Sequence, residues 1–148
     1  MRQFSTLKLT LVTAGVIVLA GVPRIVAQTP SSVWDGVYTD EQAVRGEALY
    51  QHECASCHGT EMEGIEESPP LLGKDFKADW NGQALSKLFD KMRTSMPADH
   101  PGKLSAAQNA DILAWILKEN GFPHGASALT GDENTLKQIQ FDSAKPEK

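Results

Sequence analysis

The chain is 148 residues long, with 14 basic and 19 acidic side chains for a formal net charge of −5, and it holds two cysteines. That length supports one small domain and no more. The acidic balance argues against nucleic acid as a partner, because phosphate binding needs a basic face, and it permits steering toward a basic protein.

Residues 1–27 read as an export signal. Arg2 and Lys8 form a positive start, Leu9 to Val22 is apolar apart from Thr and Gly, and Ile25-Val26-Ala27 offers small-residue cleavage ahead of Gln28. The apolar run is about 14 residues, short of the roughly 20 that span a bilayer. Retention as an uncleaved anchor is the alternative, since Arg24 follows the run closely. Either way the folded part is expected outside the cytoplasm, in the periplasm of a bacterium.

Residues 28–39 form a polar leader whose Trp34, Val37 and Tyr38 are expected to fold back onto the body. Thr39-Asp40-Glu41-Gln42 is a capping-box pattern, so a helix should start near Asp40. Its apolar positions are Ala43, Val44, Ala48, Leu49 and Tyr50. Gly46 sits inside that helix at a cost of about 1 kcal/mol relative to Ala, which calls for a reason such as the close approach of another helix.

Next comes Cys54-Ala55-Ser56-Cys57-His58. Two thiols three residues apart, followed at once by an imidazole, read as a c-type haem attachment site. On a helical turn, positions i and i+3 share a face, so both sulfurs reach one porphyrin and His58 can ligate its iron. Two other chemistries use the same spacing. A redox dithiol is usually set in alternating strands and helices, which are not predicted here. A zinc site would need two more ligands, and only His52, His100 and His124 are at hand.

Residues 59–70, with Gly59, Gly64, Pro69, Pro70 and four glutamates, read as a loop. Leu71, Leu72 and Phe76 are apolar enough to pack on a haem. A helix is expected from about Gly82 to Arg93 with Leu85, Leu88, Phe89 and Met92 as its buried stripe. Residues 94–103 are a turn-rich loop. Ser105 to Gln108 is a second capping box, opening a helix from Ala106 to Glu119 that ends at Asn120-Gly121. Residues 123–148 form a tail in which Leu136 to Phe141 alternates like a short extended segment.

A second axial ligand is needed if both faces of the iron are filled. Met96 lies in the loop between two helices, and Pro97 disfavours helix at the residue before it. Met92 fits better as core filler, Met62 could pack at the edge of the attachment turn, and His100 would make a bis-histidine site. A His58/Met96 pair raises the reduction potential and leaves no open position for dioxygen or peroxide. An open sixth site would instead suit a haem enzyme or gas sensor.

These residues together resemble the class I c-type cytochromes over most of residues 40–121. Gly46 to Tyr50 running into Cys54 to Gly59 is similar to that family's first helix and attachment turn. Pro69-Pro70-Leu71-Leu72-Gly73 resembles its Pro-x-Leu-x-Gly element. The resemblance implies that the Pro69 carbonyl accepts a hydrogen bond from His58, that Leu71 packs on the ring, that Met96 is the distal ligand, and that Trp80 lies near the propionates. It also implies that the helix carrying Trp115 crosses the first helix at Gly46. The implied fold is all-α, three to four helices and loops around one haem c held through Cys54 and Cys57, with residues 40–122 as the domain. The stretch from Met96-Pro97 to Gly125 further resembles small monohaem cytochromes that accompany quinoprotein dehydrogenases. That implies a quinoprotein dehydrogenase as partner, and a His58/Met96 pair implies a one-electron carrier rather than an enzyme, taking electrons from a dehydrogenase or respiratory complex. It would deliver them to an oxidase or another cytochrome, and would meet a membrane only if residues 1–27 are kept.

Overall fold

The structure is a computed structural model that describes residues 31–147. The expected signal segment and the start of the leader lie outside the described residues. Among the described residues six α-helical segments run α1 (Asp40–Glu53), α2 (Ala55–His58), α3 (Gly73–Trp80), α4 (Leu85–Ser95), α5 (Ala106–Glu119) and α6 (Glu133–Leu136), after a short 3-10 turn at Val33–Asp35. Four of them have eight residues or more, and α2 and α6 are single turns. Among the described residues no helix is long and apolar enough to cross a membrane.

The central packing is α1 against α5. Gly46 is the point of closest approach: a Cβ there would lie 2.5 Å from the Asp111 carbonyl carbon and 3.0 Å from Trp115 Cβ. Glycine is therefore demanded by helix packing despite its poor propensity. Beside the crossing, Arg45 grips the Asp111 carboxylate with two hydrogen bonds of 3.0 Å. This contact selects the buried face of α1 as Gln42, Ala43, Gly46 and Tyr50. Val44, expected on the inner face, is 57% exposed, and Ala48 also faces solvent. The physical reason is that steps of three and four from Gly46 set the seam, and the apolar side chains outside it are left in water.

Helix ends follow their local chemistry. Ser105 and Gln108 close both halves of a capping box on α5. At α1 only half of the expected box forms: Thr39 accepts from the Gln42 N–H. The Gln42 side chain is used elsewhere. Its Oε1 accepts from the Leu129 N–H at 2.7 Å and its Nε2 donates to the Leu129 carbonyl at 2.8 Å, both buried. Helix α4 begins at Leu85 rather than Gly82, and its buried face holds Leu85, Leu88, Phe89 and Met92.

Both ends of the described residues join the body through a small sheet. β1 (Ser31–Ser32) pairs in parallel with β3 (Ile139–Phe141), and β2 (Gln83–Ala84) pairs antiparallel to β3 on its other side. Of the extended segment expected over Leu136 to Phe141, only Ile139–Phe141 forms the middle strand, because Leu136 closes the single turn of α6 that Asp132 caps. An aromatic run binds the same region: Trp34 to Phe122 at 4.9 Å between centroids, Phe122 to Phe141 at 5.1 Å, Phe141 to Phe76 at 6.1 Å and Phe76 to Trp80 at 6.5 Å. Leu129, Leu136, Ile139 and Phe141 are buried in the common core, and so are Val33 and Tyr38 of the leader.

Candidate functional site

The Cys54–His58 segment is one tight turn. The Cys57 and His58 amides both donate to the Cys54 carbonyl, at 3.1 and 2.9 Å, and the Gly59 amide closes on Ala55. Gly59 ends the turn with φ +81°, and the buried Tyr50 hydroxyl donates to its carbonyl at 2.7 Å. Helix α1 thus fixes both the start and the end of the turn. The thiols sit one helical turn apart, Cys54 half-buried and Cys57 exposed.

His58 is buried. Its Nδ1 lies 2.8 Å from the Pro69 carbonyl. A carbonyl only accepts, so Nδ1 carries the proton and donates, which leaves Nε2 as the nitrogen with a free lone pair. An imidazole held this way by a backbone oxygen has the tautomer and orientation of a metal ligand. The Pro69 loop is itself anchored. The Leu71 amide donates to the Met62 carbonyl at 2.9 Å, and Asn120 reaches across from the end of α5. Asn120 Nδ2 donates to the Leu71 carbonyl at 2.9 Å and its Oδ1 accepts from the Gly73 N–H at 3.1 Å. Asn120 reads in the sequence only as part of a helix stop, and no spacing signal marks this second use.

Met62, expected at the edge of the turn, is fully buried and holds φ +61°, a conformation that costs a non-glycine residue roughly 1 kcal/mol. Met96 caps the C-terminus of α4 in extended conformation, φ −125° and ψ 149°, and is half-buried. Leu71 and Trp80 are partly buried against the core. The remaining candidates have other surroundings. Met92 is in the core, while His100 is exposed beside Asp99, His52 beside Glu53 and His124 beside Asp40. Helix α3, which carries Phe76 and Trp80, was not expected from the sequence, where Phe76 is the one strongly apolar residue between Gly73 and Asp79.

The alternatives for the two thiols can be weighed on this geometry. Burial pushes the Cys54 thiol up to about 11, with the Glu53 charge adding to it. A dithiol oxidoreductase needs the opposite, a thiol lowered toward neutrality. Among the described residues there is no group of three or more His, Cys, Asp or Glu that could hold a metal ion by themselves. The donor set does fit a haem: two thiols on one turn for thioethers, an imidazole Nε2 oriented by Pro69, and a thioether presented by an extended loop residue.

Comparison with known proteins points the same way. The family model described as "Cytochrome C oxidase, cbb3-type, subunit III" matches residues 41–116. Cytochrome c-551 of Bacillus subtilis is 29% identical over 84 residues, covering 57% of this chain and 70% of that protein. A thiosulfate dehydrogenase of Allochromatium vinosum is 33% identical over 87 residues, which is 53% of this chain but only 32% of that protein. The chain therefore spans about a third of the dehydrogenase's length. Among solved structures, the sulfane dehydrogenase SoxCD from Paracoccus pantotrophus superposes with a TM-score of 0.51 at 25% identity, covering 72% of this chain and 61% of that one.

Proposed function

Because this chain belongs to the cytochrome c family represented by the cbb3-type subunit III domain, we propose that it is a monohaem electron carrier. Cys54 and Cys57 would hold haem c covalently, and His58 and Met96 would supply the protein's ligands to its iron. The bound group supplies a one-electron ferric/ferrous couple. The chain's own residues orient and protect it. Pro69 fixes the imidazole, Asn120 fixes the Pro69–Gly73 segment, and Leu71 and Trp80 offer apolar and indole surface. The observation that carries this reading is the 2.8 Å bond from His58 Nδ1 to the Pro69 carbonyl beside a two-thiol turn.

An iron held by both His58 and Met96 would have no position left for a substrate, which supports a carrier over an enzyme. The donor would be a dehydrogenase or a respiratory complex. Two of the matched proteins bear dehydrogenase names, and the Met96–Gly125 pattern favours the quinoprotein class. The acceptor is an oxidase or a second cytochrome. Electrons leave at the Cys57 edge, where Glu61, Glu63, Glu66 and Glu67 are all exposed and present negative charge to a basic partner. Such an interface is small and transient. The N-terminal 27 residues support a periplasmic location.

The test is an absorption spectrum of exported protein. Covalent haem survives acid acetone, and a low-spin ferric spectrum shows a methionine-to-iron charge-transfer band that Met96→Ala abolishes. Colourless protein with two titratable thiols refutes haem attachment. A high-spin ferric spectrum with peroxide or carbon monoxide reactivity refutes the carrier and replaces it with a haem enzyme or sensor.

A further inference from the structure

Resting on the reading of Met96 as an iron ligand, we propose that Glu53 and Lys103 are positioning residues that latch the Met96 loop onto the cysteine-bearing turn. The loop joins α4 to α5 and is tied down at its two ends. The Met96 amide donates to Met92 at 3.0 Å, and the carbonyl of buried Leu104 accepts from Asn109 Nδ2 at 3.1 Å. Between them lie two successive turns, His100 on Pro97 at 3.0 Å and Lys103 on His100 at 3.2 Å. Residues 98–103 are all exposed, so the middle of the loop has no apolar anchor.

What crosses from it to the rest of the molecule is Lys103. Its Nζ donates to both carboxylate oxygens of Glu53, at 3.0 and 2.7 Å. Glu53 is the last residue of α1 and directly precedes Cys54. Its side chain is only 13% exposed, and His52 Nδ1 lies 3.1 Å from Oε1. The ion pair therefore joins the element that carries Met96 to the residue adjoining the first thiol, fifty positions earlier. A loop held only at its ends opens locally more often than one pinned at a third point. Each opening would withdraw the Met96 thioether and let an external ligand compete for its position.

The test uses the full exported protein with haem attached and imidazole as the competing ligand. Lys103→Met and Glu53→Gln should keep covalent haem and the methionine charge-transfer band. They should bind imidazole about threefold to tenfold more tightly than wild type, the scale of a partly shielded ion pair. Lys103→Arg and the charge-swapped E53K/K103E protein should recover most of the wild-type affinity. Arg93→Met removes a more exposed pair with Asp90 within α4 and should leave imidazole binding unchanged. Wild-type imidazole affinity in both Lys103→Met and Glu53→Gln overturns the latch. So does an equal rise in Arg93→Met, which would mean general loosening. If Glu53→Gln does not accumulate, Lys103→Met, at a half-exposed side chain, carries the same measurement. A band absent from wild type, or retained in Met96→Ala, overturns the ligand assignment itself and the latch with it, and is read separately from the imidazole titration.

Discussion

Substituting Gly46 by alanine probes the α1/α5 seam directly. The new methyl carbon would lie 2.5 Å from the Asp111 carbonyl carbon and 3.0 Å from Trp115 Cβ. Carbon atoms rest at about 3.5–4.0 Å, so the helices must part by about 1 Å. The Asp111 obstacle is backbone and cannot rotate away. Overpacking of this kind costs about 1–3 kcal/mol, and a backbone clash places it at the upper end. Alanine returns about 1 kcal/mol through helix propensity. The net expectation is a loss of about 2 kcal/mol, or a fall in Tm of about 8 °C for a domain of this size. Gly121→Ala is the control: φ is +81° and nothing lies within 4 Å of its added carbon, so only the left-handed backbone penalty of about 1 kcal/mol applies. Thermal unfolding of haem-loaded protein followed by circular dichroism reads both. A Gly46→Ala protein that melts within about 2 °C of wild type, or above Gly121→Ala, refutes the argument that contact at this crossing decides the residue.

Two further outcomes follow from buried polar groups. Gln42→Ala should strip both partners from the Leu129 backbone and cost about 2–4 kcal/mol. Urea unfolding measures it, and the Leu129 amide should lose hydrogen-exchange protection; unchanged protection would show that the clamp is dispensable. Tyr38 is pushed up to about 12 by burial, with Asp40 and Glu119 adding to it, and its hydroxyl donates to the Phe122 carbonyl. A tyrosine in the unfolded chain titrates near 10, so the folded state holds this proton more tightly. The stabilisation is complete below about pH 10 and is lost as pH rises toward 12, by about 1.4 kcal/mol per pH unit. Denaturant midpoints measured across that window should fall in wild type and fall less steeply in Tyr38→Phe, where the buried Tyr50 phenol, also raised by burial, still contributes. A flat wild-type profile contradicts the buried-phenol assignment.

Much of the site was legible because its chemistry is local. The two-thiol turn, the following imidazole and the Pro-Pro-Leu-Leu-Gly element are contiguous patterns, and α5 is bounded by a capping box and an Asn-Gly stop that act within a few residues. The buried stripe of α4 was equally readable from spacing alone. What was not legible depends on distant partners. Val44 and Ala48 are as apolar as the residues that α1 does bury, and only the crossing at Gly46 selects between them. Gln42 looked like half of a capping box until Leu129 claimed its amide. Helix α3 has one strongly apolar residue in its first seven and is defined by packing on Phe141. Strands of two or three residues have no periodicity to detect, and Asn120 gained its role only when α5 met the Leu71–Gly73 segment.

The three-stranded ribbon also determines how anything joined to this domain is presented. Ser31 lies alongside Ile139, and Ser32 bonds the Asp142 side chain. Because the two strands run parallel, polypeptide arriving ahead of Ser31 joins at the Ile139 end of β3, and polypeptide leaving after Asp142 departs at its Phe141 end. A tether on one side and a fusion on the other would emerge at opposite ends of one strand pair, and pulling on either would strain the seam that secures the other.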